Sequence, residues 1–278
     1  MLSNAPGIEL SVIWSRRPEA AQALAAQYGA VAARTFDELL QACDAVAFTV
    51  PPDVQAALAP VAARAGKHLL LEKPLAFTVE DAEAIAEAAD AAGVATQLVL
   101  TNRYTTPVRQ FLRALDGVTV RYVRTGFVSG GALAGSPFAT PWRQAVGSAV
   151  LDVGPHALDL ADAAGGRVTE LLAAESGGVV AISTGHAGGA VGQVTLSVTT
   201  PNARGPLEGV ALTDNGRLVL GDPTSQPAAD VQRTIADEFV RTVAGALEQP
   251  LDGHRGVRIQ RLLAAVAESI RTGGPVTP

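Results

Sequence analysis

Cysteine is almost missing from this chain of 278 residues: Cys43 is the single one, which excludes an intrachain disulfide and fits a reducing compartment. Lysine is nearly as scarce, with Lys67 and Lys73 against nineteen arginines, so where positive charge alone is needed the chain uses arginine. Charged residues make up 17% and hydrophobic ones 48%, a globular and rather apolar balance, yet no apolar run approaches membrane-spanning length. The amino terminus, Met1-Leu2-Ser3-Asn4-Ala5-Pro6-Gly7, has neither a basic region nor an apolar core, and no secretion signal is read there. With a net charge of −6 and scattered arginines there is no nucleic-acid footprint. There is no internal repeat and no low-complexity segment. These absences leave a cytoplasmic soluble enzyme as the natural class.

What is present is organised around Gly66-Lys67-His68-Leu69-Leu70-Leu71-Glu72-Lys73-Pro74-Leu75. A helix-ending glycine precedes a short apolar run suited to a buried parallel strand, which ends in an acid, an amine and a proline. In open α/β sheets ligands sit beyond the carboxyl ends of strands, so Lys73 has chemistry within reach. Arginine keeps its proton in proteins whereas lysine can be tuned to release it, so a retained lysine is a candidate proton-transfer group. Lys67 is read as a turn residue.

Strand and helix alternate through the first hundred residues. Ile8 to Trp14, Ala45 to Val50, the central stretch and Val94 to Leu100 read as strands. Helices are predicted from Pro18, over Phe36 to Gln41, from Val54 to Gly66 and from Thr78 to Gly93. This is a doubly wound parallel sheet, assigned to residues 1–101. From Asn102 the pattern changes to period two, with Val118, Val120 and Tyr122 and then Val194, Leu196 and Val198 alternating with polar residues. That predicts an open, antiparallel sheet with one wet face. Asn215-Gly216 signals a hairpin, and two helices close an α+β domain assigned to 102–278.

Several constellations carry chemistry, each with a plainer alternative. Glu72-Lys73-Pro74 is either a functional strand end or a surface charge pair before a turn. In Ser148 to Asp159, Pro155 suits the first helical position, which places His156 and Asp159 on one turn with Asp152 just before it. A histidine flanked by two carboxylates can be oriented and its charged form stabilised for acid–base work; otherwise the two acids merely serve a helix start. One histidine with carboxylates and no cysteine partner is a poor metal ligand set, and no metal is expected. Ser15-Arg16-Arg17 follows the first strand, where an acid would bond the ribose of NAD and arginine can accept the 2′-phosphate of NADP; two exposed arginines at a helix start are the alternative. Asn102-Arg103-Tyr104 and Trp142-Arg143 are polar and aromatic groups at element ends, suited to substrate contact or to packing. His68, His186 and His254 have no companions in sequence and are read as structural.

Assembled, these residues resemble the Gfo/Idh/MocA family of NAD(P)-dependent oxidoreductases. The likeness rests on Ala65-Gly66-Lys67-His68 leading to Glu72-Lys73-Pro74, and on Asp152-x-Gly154-x-His156-x-x-Asp159, in the right order and in different domains. The resemblance implies a Rossmann-like domain followed by an open, mostly antiparallel sheet domain, and hydride exchange between nicotinamide and a sugar, polyol or related hydroxyl or keto carbon. It makes Lys73 the amine that holds the reacting oxygen, with Pro74 often cis, and Asp152 and His156 the substrate-side acid–base pair. Glu72, Pro51 and Pro52 join Ser15 and Arg16 around the cofactor, and Asn102, Arg103, Tyr104, Trp142, Arg143 and Asp159 are assigned to substrate. Gln55 stands where members commonly carry a histidine. NADP is the expected cofactor with NAD the alternative, and self-association is expected from an exposed sheet face.

Family members begin with a strand and a glycine-rich turn that holds the pyrophosphate. No G-x-G-x-x-G stands ahead of Ile8, and the expectation is a start assigned too late. The alternatives are a shortened form that binds cofactor poorly, or a non-catalytic partner protein that uses the sheet domain alone.

Overall fold

A computed structural model of the chain describes residues 2, 5–136, 147–203 and 205–278. Two compact units emerge, one from Met1–Ala76, Glu80–Val99 and Ala228–Val257, the other from Phe77–Val79, Leu100–Pro227 and Arg258–Pro278. In the first, β1 (Val12–Ile13), α1 (Pro18–Tyr28), β2 (Val31–Ala32), α2 (Phe36–Gln41), β3 (Ala45–Ala47), α3 (Pro52–Arg64), β4 (His68–Glu72), α4 (Val79–Ala92) and β5 (Thr96–Val99) follow one another. Every strand pair is parallel, β1 with β2 and β3–β4–β5 in that order. The strand expected over Ile8 to Trp14 shortens to Val12–Ile13, the two residues that find partners on β2.

Local chemistry explains these boundaries. Thr35 caps α2 by accepting from Glu38 N at 3.1 Å, and Glu38 reaches back to Arg34 N at 2.8 Å. At the end of α3, Gly66 takes φ +74°, Gly66 N donates to Ala63 O and Lys67 N to Ala62 O, which closes the helix and aims the chain into β4. Leu69, Leu70 and Leu71 of β4 are at most 2% exposed, so both faces of the sheet are covered there. Each such leucine contributes about 1.5–3 kcal/mol by burial.

The second unit contains α5 (Thr106–Arg113), β6 (Val120–Val128), α6 (Ser148–Asp152), α7 (Gly154–Ala164), β7 (Val168–Ser176), β8 (Val179–His186), β9 (Val191–Ser197), β10 (Glu208–Thr213) and β11 (Gly216–Val219). Its six-stranded sheet runs β11-β10-β6-β9-β8-β7. Antiparallel pairing holds throughout except between β6 and β9, which are parallel. The sheet is thus mostly antiparallel, as expected, and its one parallel pair leaves the alternation intact, because alternation fixes which side chains are buried, not which way a neighbour runs. Val123, Ile182 and Val194 fill the covered face while Arg124, Ser183 and Gln193 face outward. The hairpin turn falls on Asp214-Asn215, with Gly216, at φ +118°, already paired to Thr213.

Two helices close the chain, α8 (Ala228–Val243) and α9 (Gly253–Thr272). A single cut after residue 101 does not describe the division, because Ala228–Val257 belongs with the first unit. There the Gln97 amide donates to Ile235 O at 2.9 Å and Leu98 N to Leu251 O at 2.6 Å, so α8 and the segment after it cover β5. Among the described residues no helix is long and apolar enough to cross a membrane.

Candidate functional site

In the first unit the candidate residues gather at the carboxyl ends of parallel strands. β4 ends at Glu72, and Lys73, half-buried, precedes a cis bond to the buried Pro74. The Lys73 amide donates to the Glu72 carboxylate at 3.2 Å. Pro51 and Pro52 open α3, where Pro suits a position whose N–H has no helical partner. One turn on, Gln55 is fully buried and holds the strand end: its Nε2 donates to Glu72 O at 2.9 Å and Leu75 O at 2.8 Å, and its Oε1 accepts from Glu72 N at 2.8 Å. Sequence reasoning marked Gln55 only as a replacement for histidine. The available signal was its place four residues after Pro51, on the helical turn that must face the neighbouring strand.

After β1 the chain passes Ser15, Arg16 and Arg17 into α1. The Ser15 hydroxyl accepts from Arg17 N at 3.2 Å, and both arginines are exposed. Trp14 packs against Phe36 at 5.4 Å between ring centroids, which anchors the segment before them. Exposed guanidinium groups beside a strand end suit a phosphate, because they are permanently charged and present paired donors. The donor set therefore fits a phosphorylated cofactor at this edge, with Pro51, Pro52, Glu72 and Lys73 at the other strand ends.

The second unit holds the remaining candidates around α6 and α7. Asp152, half-buried, is the last residue of α6, a position reached not by loop but by a short helix of its own. Gly154 starts α7, and a Cβ on it would meet Leu263 at 3.0 Å and Leu196 at 3.4 Å, so close packing keeps this position bare. Pro155 follows, then His156, 9% exposed with its ring 6.0 Å from that of Phe127. The Nδ1 atom of that ring makes no hydrogen bond among the described residues. The Thr125 hydroxyl donates to Ala157 O at 2.9 Å and ties α7 to the sheet beside the histidine.

Asp159, one turn beyond His156, is 0% exposed and its Oδ2 accepts from Arg103 at 2.8 Å. The guanidinium of Arg109 lies 5.6 Å from the ring centre of Tyr104, itself 1% exposed, and its Nε donates to Arg103 O at 3.1 Å. Asp159 and Tyr104, both assigned to substrate from the sequence, are thus buried within the second unit. Asn102 and Arg103 remain half-buried at the start of this segment. Trp142 and Arg143 lie outside the described residues.

Residues 1–99 match the profile of the oxidoreductase family with an NAD-binding Rossmann fold, Gfo/Idh/MocA. Over that stretch the chain is similar to this family. It is 35% identical over 114 residues to a 4-carboxy-2-hydroxymuconate-6-semialdehyde dehydrogenase of Sphingobium sp., covering 40% of this chain and 36% of that protein. It is 32% identical over 168 residues to a dTDP-3,4-didehydro-2,6-dideoxy-alpha-D-glucose 3-reductase of Streptomyces violaceoruber, covering 56% of this chain and 46% of that one. The matched stretches thus span less than half the length of these curated relatives. Among solved structures, the WlbA dehydrogenase from Bordetella pertussis, in complex with NADH and UDP-GlcNAcA, superposes with a TM-score of 0.85 at 24% identity, over 97% of this chain and 90% of that one. That likeness shows a shared fold across both units, and a family of NAD-binding oxidoreductases lends no support to the non-catalytic alternative.

Proposed function

We propose that this protein is an NAD(P)-dependent dehydrogenase or reductase that moves a hydride to or from a hydroxyl or keto carbon of a carbohydrate-like substrate. The observation that carries the reading is Lys73, an amine at the carboxyl tip of a buried parallel strand, in a segment whose sequence matches an NAD-binding family. Relatives named for a sugar nucleotide and for a semialdehyde support an oxygen-bearing carbon as the reacting centre.

The nicotinamide, when bound, supplies or accepts the hydride. Everything else falls to the chain. Lys73 donates a hydrogen bond to the reacting oxygen and stabilises charge that builds there, while Glu72 and the two prolines shape the surface beside it. His156 passes a proton to or from substrate, oriented on a helix whose start is fixed by Gly154 and Pro155, and Asp152 stabilises its charged form. Arg16, with Ser15, reads the 2′-phosphate, so NADP is preferred over NAD. The exposed sheet face of the second unit supports self-association, and the single cysteine supports a cytoplasmic setting.

Absorbance at 340 nm, with NADPH or NADP and a panel of sugars, polyols and sugar nucleotides, tests the assignment. Lys73→Met should abolish turnover, a loss of at least about 100-fold in kcat, while leaving the melting temperature in place. Normal turnover in that variant ends the proposal.

A further inference from the structure

We propose that Gln55 is the positioning residue for Lys73. The inference rests on the catalytic role given to Lys73 above. A primary amide has two N–H donors and one carbonyl acceptor, and all three of these groups in Gln55 are spent on one short segment. Both donors go to carbonyls, Glu72 O at 2.9 Å and Leu75 O at 2.8 Å, and the acceptor takes Glu72 N at 2.8 Å. Lys73 and Pro74 lie between those anchor points, so the backbone that carries the amine is held from both sides by a side chain with 0% exposure.

The chemistry demanded is specific. Two carbonyl oxygens face Nε2 and one amide N–H faces Oε1, an arrangement an amide meets and a carboxylate of the same shape does not. Gln55→Glu would set a negative group against two carbonyl oxygens, and Gln55→Ala would take the glutamine's hydrogen bond from three backbone groups. Imidazole, with one donor and one acceptor, can keep the bond from Glu72 N and one of the two carbonyl bonds. Gln55→His is therefore the partial rescue.

The two-lysine composition gives a readout independent of turnover. Reductive methylation with labelled formaldehyde places reporter groups on Lys67, Lys73 and the amino terminus of the full chain, and a carbon–proton correlation spectrum resolves them. In Gln55→Glu and Gln55→Ala the Lys73 resonance should shift and broaden while that of Lys67 stays in place. Unmodified variants should lose about 10- to 100-fold in kcat, the scale of misplacing a reacting group, with KM for NADPH moving less than about threefold. Gln55→His should restore part of both signals. An unchanged Lys73 resonance in Gln55→Glu overturns the proposal whatever the melting temperature does, because a purely structural glutamine would lower stability alone. Should the wild-type protein turn over nothing in the panel, the functional reading fails, and the Lys73 resonance still decides the role of Gln55.

Discussion

The two units hold their candidate residues by opposite means. In the first, a neutral amide grips backbone around Lys73, and the charged groups, Arg16, Arg17 and Glu72, sit at the margin. In the second, charges go inside: Arg103 meets Asp159, and Arg258 meets Asp162 at 2.8 Å with side chains 10% and 5% exposed. Arg258 also donates to Val168 O, and Asp162 accepts from Val168 N at 2.9 Å, so this pair fastens the start of β7 to α7 and α9. Backbone gripped by a neutral group tolerates loss of charge nearby, whereas a buried ion pair fails badly when one member is removed. The first unit should therefore respond to substitution mainly in function, and the second mainly in stability.

The largest effect expected from that contrast is in the second unit. Arg258→Met leaves Asp162 charged and buried without its guanidinium, and should destabilise by about 3–5 kcal/mol, with recovery on adding Asp162→Asn. The double variant keeps an oxygen for Val168 N and removes the orphaned charge. Chemical denaturation followed by circular dichroism measures both, and a loss under about 1 kcal/mol in the single variant would show that the buried pair is not what holds α7.

Smaller is the expected response at the edge of the first unit. Arg16→Ala removes an exposed cation from the segment after β1, and should weaken NADP by roughly 1.5–3 kcal/mol, the range for a hydrogen bond to a charged group. NAD should change much less, and the melting temperature not at all. Fluorescence quenching titrations with the two reduced cofactors separate the cases. Equal losses would mean that Arg16 does not read the 2′-phosphate, and would blur the functional character assigned to this unit.

How far these features were legible follows from the distance over which each is decided. The helix Phe36 to Gln41 was read in full because Thr35 and Glu38 write its start within four residues, and the strand His68 to Glu72 because Gly66 and Pro74 bracket it. The hairpin was found for the same reason, one residue out of register. Periodicity supplied the alternation of strand and helix and the period-two sheet, and the family resemblance added the roles expected of Lys73 and His156. What stayed illegible depends on partners far along the chain. Arg103 and Asp159 are 56 positions apart, and nothing in either neighbourhood announces the pair. Gln97 commits Ala228–Val257 to the first unit across 138 positions. Parallel pairing of β6 with β9 leaves no local trace, since either direction produces the same alternation of buried and exposed side chains.

The smallest effect, and the finest check on the contrast, concerns Cys43 in the first unit. Burial pushes its thiol above the ordinary range because the thiolate loses solvation; the Lys67 charge opposes this, and the Asp44 charge adds to it. If charge in the first unit is marginal, desolvation dominates and the two neighbours only trim it. Alkylation of the folded protein should then run slower than that of a free thiol at neutral pH, and speed up only at pH values above the usual thiol midpoint. The signs for the neighbours are fixed. Lys67→Met removes a charge that favours the thiolate and should slow the reaction further, while Asp44→Asn should quicken it. Both changes should shrink in high salt, as expected for charges that water screens, and the slowing due to burial should persist. A Lys67→Met effect larger than that of burial itself would place strong electrostatics inside the first unit after all, and erase its difference from the second.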